Sequence, residues 1–343
     1  MPDKLNPIVE PLIQWFEQHK RELPWRQDKS PYHVWISEIM LQQTRIEAVI
    51  RYYERFMSAL PDIKSLSEID DDALMKLWEG LGYYSRARNL KKAALTIMND
   101  HAGRFPEEYD EIIRLPGIGE YTAGAIASIC FDKPVTAVDG NVLRVVTRLK
   151  ADHADVLLPE TKKRIASELK AILPPQSGAF NEALMELGET VCLPNGAPDC
   201  ARCPIREFCA AYRDGLTDQL PVRIKKLKRS VCEKSVFVIR DPSGRLAIEK
   251  RPDTGLLSGL YQLPNIDGYY SDKELYGALG EWGLSVSSLA YDKDSKHVFT
   301  HIDWMMKAYA VTVKEPCGRF LWVTDDERKT TFPLPTAFQK LLK

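Results

Sequence analysis

Leu115-Pro116-Gly117-Ile118-Gly119-Glu120-Tyr121-Thr122-Ala123-Gly124-Ala125, followed by Val138-Asp139-Gly140-Asn141-Val142, is the stretch on which the reading of the fold turns. It reads as a tight hairpin between two helices, with an acidic residue near the start of the next helix. Gly117 and Gly119 admit backbone conformations that a side chain opposes, and they leave amide N–H groups exposed beside a helix N-terminus. Exposed amides and the helix dipole both favour an anion, so the hairpin suits a phosphate. Such a contact grips a nucleic-acid backbone and reads no bases. A lone Gly-x-Gly is more often an ordinary corner with Pro and Gly as breakers. Here the segment combines with Asp139 downstream, a glutamate upstream and four clustered cysteines.

Working upstream, Pro31-Tyr32-His33-Val34-Trp35-Ile36-Ser37-Glu38-Ile39-Met40-Leu41-Gln42-Gln43-Thr44 is apolar enough to be a buried helix, with Glu38 in its middle. A carboxylate there faces solvent from one side of the helix or lies in a cleft with a raised pKa. On residues alone the solvated face is favoured, because most helical glutamates occupy one. Pro7 to Gln18 has helical spacing, and Leu23-Pro24-Trp25-Arg26 ends that helix. Ser67 to Met98 gives further helices, interrupted at Gly80-Leu81-Gly82-Tyr83-Tyr84-Ser85-Arg86. This interruption reads equally as a DNA-contacting loop or a helix cap with core aromatics. Downstream of the hairpin, Val145 to Leu173 is amphipathic and closes at Pro174-Pro175. An almost wholly helical domain is expected up to about residue 215.

Cys192, Cys200, Cys203 and Cys209 are four thiols in a short loop rich in Pro, Asn, Gly and Asp. They form a ligand set for Zn²⁺ or a [4Fe–4S] cluster, and their spacing does not choose between the two. Cys130, among apolar neighbours, reads as core packing, and Cys232 and Cys317 are isolated. A basic stretch, Pro221-Val222-Arg223-Ile224-Lys225-Lys226-Leu227-Lys228-Arg229, reads as an interdomain linker within 216–230, either solvated or laid along phosphates. Beyond it the period changes. Val236–Ile239, Leu246–Ile248, Tyr261–Pro264, Ala308–Val313 and Phe320–Val323 read as strands, with a turn at Asp241-Pro242-Ser243-Gly244 and a helix over Ser271–Trp282. A second domain of α+β class is expected over 231–343.

The chain has 343 residues, 44% of them apolar and 28% charged, which suits two globular domains. A net charge of -1 does not announce a nucleic-acid binder, so a DNA surface has to come from local clustering. No charged-then-apolar leader and no membrane-length apolar run is present, so a reducing cytoplasm and a soluble monomer are expected.

Taken together, Leu23–Arg26, Trp35–Thr44, the hairpin with Thr122–Ala125, Val138–Asn141, Asn181-Glu182-Ala183-Leu184-Met185-Glu186-Leu187-Gly188 and the four cysteines resemble the adenine DNA glycosylases of the MutY type. These are multi-domain proteins: an all-α helix-hairpin-helix glycosylase domain with an iron–sulfur cluster precedes an α+β Nudix-like domain. The resemblance implies a [4Fe–4S] cluster on the cysteines, although seven residues separate Cys192 and Cys200 where six are usual. It implies excision of adenine mispaired with 8-oxoguanine or guanine in duplex DNA. Glu38 is then the general acid on adenine N7 and Asp139 the ionised partner of the developing sugar cation. Asn141 positions water and Tyr121 lines the sugar pocket. Trp25, Arg26 and Glu182 surround the extruded base, Gln43 and Tyr83 wedge into the duplex, and Gly117 and Gly119 hold a phosphate. Thr44 and Leu81 meet the opposing lesion together with the loop Phe299-Thr300-His301, where Thr keeps the hydroxyl of the usual Ser.

Two features separate the close alternatives. Related enzymes that nick DNA place a lysine where this chain has Tyr121, and a phenol is no amine nucleophile, so a monofunctional enzyme is expected. The Nudix metal-binding acidic helix is missing after Gly255-Leu256-Leu257-Ser258-Gly259-Leu260, which argues for recognition without pyrophosphate hydrolysis. An endonuclease III-like lyase, a silent DNA-binding protein and a nucleotide hydrolase are the rival readings.

Overall fold

The computed structural model describes residues 5–224 and 229–343. Lys225-Lys226-Leu227-Lys228 of the basic linker lie outside the described residues. The chain gathers into two compact units, residues 1–68 with 88–225, and residues 69–87 with 226–343. The sequence boundary placed 69–87 in the first domain; the contacts place them with the C-terminal half.

The first unit is helical. Its helices include Val9–His19, Pro31–Leu41, Ile46–Ala59, Glu120–Phe131, Gly140–Lys150, Pro159–Lys170 and Ser177–Thr190. Leu12 and Phe16 meet Val142, Val146 and Leu149 and the Phe180, Leu184 and Leu187 face in one core. Burying each such side chain stabilises the fold by about 1.5–3 kcal/mol. The amphipathic run expected over Val145–Leu173 is two helices, because Ala151 turns left-handed (φ 50°) after the first and Pro159 opens the second. Proline at a first helical position lacks only an N–H that would go unpaired there. The helix Pro31–Leu41 buries every residue from Val34 to Met40, so it is apolar all round and deep in the unit.

The second unit is built on a seven-stranded sheet: β1 (Ser230–Arg240), β2 (Leu246–Lys250), β3 (Tyr261–Gln262), β4 (Asn265–Asp267), β5 (Val286–Val298), β6 (Ile302–Val313) and β7 (Leu321–Val323). The main path runs β3-β2-β1-β6-β5, with β4 on β1 and β7 on β2. β1 and β6 are parallel, in register from Ser230↔Ile302 to Arg240↔Thr312. Alternate residues of β1 serve opposite faces, as the period of a strand requires. Val236 packs toward Leu334 and Phe338, while Phe237 and Ile239 pack toward Leu275 and Leu279 of the helix Asp272–Glu281. All five expected strands and this helix are present. β4 and β5 were not anticipated: β4 has three residues, and β5 is a polar, largely exposed edge strand whose burial pattern carries no apolar run. Residues 252–260, where a hydrolase helix would follow, form turns.

Candidate active site

The hairpin ends at Gly119, which caps the helix Glu120–Phe131. Gly117 has φ 79°, and a Cβ there would sit 2.5 Å from Asn89 Cβ, so both backbone and space demand glycine. Gly119 corrects the sequence reading. Its φ of -101° is open to any residue, and a Cβ would meet nothing within 4 Å. The space above it is free for an incoming group.

The same helix presents Tyr121 to a cleft of about 1160 Å³. Glu38, Asp139, Asn141, Trp25, Arg26, Glu182, Gln43 and Thr44 also line it. Nine of the expected site residues, on five separate stretches of chain, are thus brought to one place. Glu38 is 8% exposed, which overturns the solvated-face expectation. Burial is the main force on its carboxyl, pushing it up to about 7. A hydrogen bond from Tyr121 opposes the shift, and the charges of Asp139 and Glu182 add to it. The Tyr121 hydroxyl also lies 3.1 Å from Met185 Sδ.

Asp139 is held otherwise. It caps the helix Gly140–Lys150, accepting from Val142 N at 2.8 Å and from Asn141 Nδ2 at 2.8 Å. Burial raises its pKa, and these donors to the charged form counter the rise. Asn141 is fully engaged, donating also to Glu189 Oε1 at 2.7 Å and accepting from Arg144 at 2.7 Å. These bonds hold it so that it orients Asp139. Gly188 permits the arrangement, since a Cβ there would lie 2.6 Å from Asn141 Cβ. Arg144 donates in turn to the Cys192 carbonyl at 2.7 Å, tying the acidic site to the cysteine loop.

Sequence reasoning missed the floor of the cleft. Glu186, 1% exposed, takes Arg21 through Nε (2.6 Å) and the terminal guanidinium nitrogen (3.0 Å), and Arg26 at 3.0 Å. Burial alone would raise its pKa, but the two arginines pull it down, so it is the ionised anchor of this corner. Arg26 also reaches Glu182 at 3.1 Å, and burial raises the pKa of Glu182 despite that contact. Beyond its place in the Asn181–Gly188 segment, the available signal was the i, i+4 spacing of Glu182 and Glu186, which puts both on one helix face.

Cys192, Cys200, Cys203 and Cys209 ring one small cavity with Arg148 and Tyr212. Arg148 donates to Cys192 Sγ at 3.2 Å, and burial pushes the Cys203 thiol up to about 12. Among the described residues no three His, Cys, Asp or Glu side chains are grouped to hold a single metal ion.

The other expected residues belong to the second unit. Leu81 is buried, and its carbonyl accepts from Arg86 at 3.0 Å. Tyr83 is 46% exposed with φ 48°, a conformation costly for a bulky side chain. Gln43 in the first unit is left-handed as well, at φ 60°. Phe299-Thr300-His301 forms the tip between β5 and β6; Phe299 packs on Trp304 at 4.9 Å, and Thr300 Oγ1 lies 3.1 Å from the Tyr83 hydroxyl.

A model described as HhH-GPD superfamily base excision DNA repair protein matches residues 36–175, and one described as a NUDIX domain matches 235–343. The adenine DNA glycosylase of Mus musculus is 33% identical over 89% of this chain and 70% of its own length. That of Schizosaccharomyces pombe is 36% identical over 85% and 79%. The chain belongs to the adenine DNA glycosylases. Among solved structures, a thermostable thymine-DNA glycosylase covers 62% of this family member at 27% identity with a TM-score of 0.56, over 97% of its own chain. Endonuclease III in a non-covalent DNA complex shares the fold at 21% identity, covering 63% of this chain and 98% of its own with a TM-score of 0.54.

Proposed function

We propose that this adenine DNA glycosylase excises adenine paired with 8-oxoguanine or guanine in duplex DNA, hydrolysing the N-glycosidic bond and leaving an abasic site. The observation that carries the reading is a pair of carboxyl groups in one cleft, the first buried and desolvated, the second half-buried and hydrogen-bonded at a helix N-terminus. Adenine leaves poorly unless protonated, and its bond is inaccessible within the stack, so the base is first extruded. Glu38, protonated near neutral pH, delivers its proton to N7. Asp139, fixed by Asn141 and the Val142 amide, remains ionised and stabilises the oxocarbenium-like sugar. Trp25, Arg26 and Glu182 wall the base pocket, and Glu186 holds Arg26 in place. Gly117 and Gly119 leave amides free for a phosphate. Phe299, Thr300 and His301, with Thr44, Tyr83 and the Leu81 loop, are assigned to the opposing lesion and the duplex around it.

The four cysteines fit a [4Fe–4S] cluster, since all four line one small cavity and thiolates are the ligands that hold such a cluster. The Arg148 donation to Cys192 Sγ suits a thiolate. Bound there, the cluster supplies a rigid cross-link for the loop 192–209.

Cleavage of a duplex with adenine opposite 8-oxoguanine, labelled on the adenine strand, tests the proposal. Strand breaks that appear only after hot alkali, and are absent with Glu38→Gln, are expected. Lys20, Lys29 and Lys162 also line the cleft, so breaks without alkali would replace this reading with a lyase.

A further inference from the structure

The loop 80–83 is a strained, exposed element held by contacts that the catalytic chemistry does not explain. Gly80 (φ 100°), Gly82 (φ 70°) and Tyr83 (φ 48°) are all left-handed within four residues. Glycine adopts such a φ freely, but a tyrosine there is strained, and that strain persists only where the surroundings over-determine it. Locally, Trp78 Nε1 donates to the Gly82 carbonyl (3.1 Å) and Arg86 to the carbonyls of Leu81 (3.0 Å) and Gly82 (3.1 Å), and further anchors come from the C-terminal half. In the preceding helix Asp71–Leu77, Lys76 Nζ donates to the carbonyls of Arg328 (3.1 Å) and Phe332 (3.2 Å). Glu79, directly before the loop, accepts from Leu334 N at 2.8 Å and Gln339 Nε2 at 2.9 Å, and pairs with Lys76 at 2.8 Å. Asp72 takes Lys250 at 2.7 Å and Tyr261 OH at 3.1 Å. Lys76 and Glu79 are each under one-fifth exposed, so these are partly desolvated, charge-assisted bonds and stronger than surface pairs. At the far end of the loop, the Tyr83 hydroxyl meets Thr300 Oγ1 on the β5–β6 tip.

We propose that Glu79 is a positioning residue through which the C-terminal half sets Tyr83 against Thr300, and so sets discrimination between 8-oxoguanine and guanine opposite the target adenine. The inference rests on the function proposed above. Glu79 is the hinge of the device because it joins the loop to two donors of the 334–339 segment while its partner Lys76 holds two carbonyls of the 328–332 segment. Without Glu79, the loop keeps its local bonds from Trp78 and Arg86 but loses its anchor on the 334–339 segment, so Tyr83 samples other positions. The chemistry at Glu38 and Asp139 is unchanged, because neither residue is among its partners.

The test uses the full chain and the variants Glu79→Ala, Glu79→Gln and Tyr83→Phe. Single-turnover excision is compared for adenine opposite 8-oxoguanine and opposite guanine, and amide hydrogen exchange is read over residues 78–86 without DNA. Glu79→Ala should lower the 8-oxoguanine preference about tenfold and speed exchange in the loop, with the pH profile of excision unmoved. Glu79→Gln keeps a side-chain acceptor and should restore most of both. Adding Tyr83→Phe to Glu79→Ala should cost little more, since the two act as one unit. Unchanged exchange over 78–86 in Glu79→Ala, or an unchanged preference with faster exchange, overturns the inference. A wild-type protein that excises no adenine defeats the functional reading instead, and the exchange arm still decides whether Glu79 fixes the loop.

Discussion

Glu38 and Asp139 are chemically alike, and their surroundings make them different. With the Glu38 carboxyl near 7, excision should fall as pH rises through about 7, while protonation of Asp139 sets an acid limb above the ordinary range for aspartate. A pH–rate profile of single-turnover excision checks this, and a rate flat from pH 6 to 9 would remove Glu38 as the acid. Stability should move the other way on mutation. The folded state takes up a proton that the unfolded chain releases near 4.5, so the Glu38 contribution is complete below 4.5 and is lost as pH rises through 7. Glu38→Gln is neutral throughout. It should therefore abolish excision, by about 10²-fold or more, and yet stabilise the fold by about 3 kcal/mol above pH 7. Denaturant titrations of both proteins at pH 4 and pH 8.5 should show the difference all but gone at the lower pH.

The hairpin and the helix after it show how much an element discloses before its structure is seen. Gly-x-Gly marked the turn between the helices, and its two glycines now separate. Gly117→Ala carries a left-handed backbone cost of about 1–2 kcal/mol together with the clash on Asn89. Gly119→Ala should change stability by less than about 0.5 kcal/mol but weaken duplex affinity, because its Cβ enters only the open space. Unfolding curves beside DNA titrations distinguish the two, and equal stability losses would refute the assignment. The hairpin, Asp139, the cysteines and five strands were legible because local pattern specifies them. The burial of Glu38 was not, since a single carboxylate in an apolar helix looks the same whether it faces water or a cleft. β5 escaped because an exposed edge strand keeps no apolar alternation. Glu186 escaped because its partners Arg21 and Arg26 lie about 160 residues away.

For the molecule as a whole, the grouping of 69–87 with 226–343 means that the C-terminal half is no detachable appendage. Leu74 and Trp78 are fully buried, and Lys76, Glu79 and Asp72 take their partners from 250–339. A chain ending at residue 224 removes those partners and leaves a short helix that few local interactions can hold, since helices under about 12 residues are marginal alone. Limited proteolysis of the shortened chain should then cut first within 69–87, where the full chain resists. The groups that act most on Glu38, by contrast, are Tyr121, Asp139, Glu182 and Arg26, all outside that segment. Its alkaline limb near 7 should survive in whatever excision the shortened chain retains, while the preference for one opposing base over another declines. Protection of 69–87 equal to that of the full chain would mean that the helical unit holds the segment unaided. A displaced alkaline limb would mean instead that the C-terminal half reaches the acid itself.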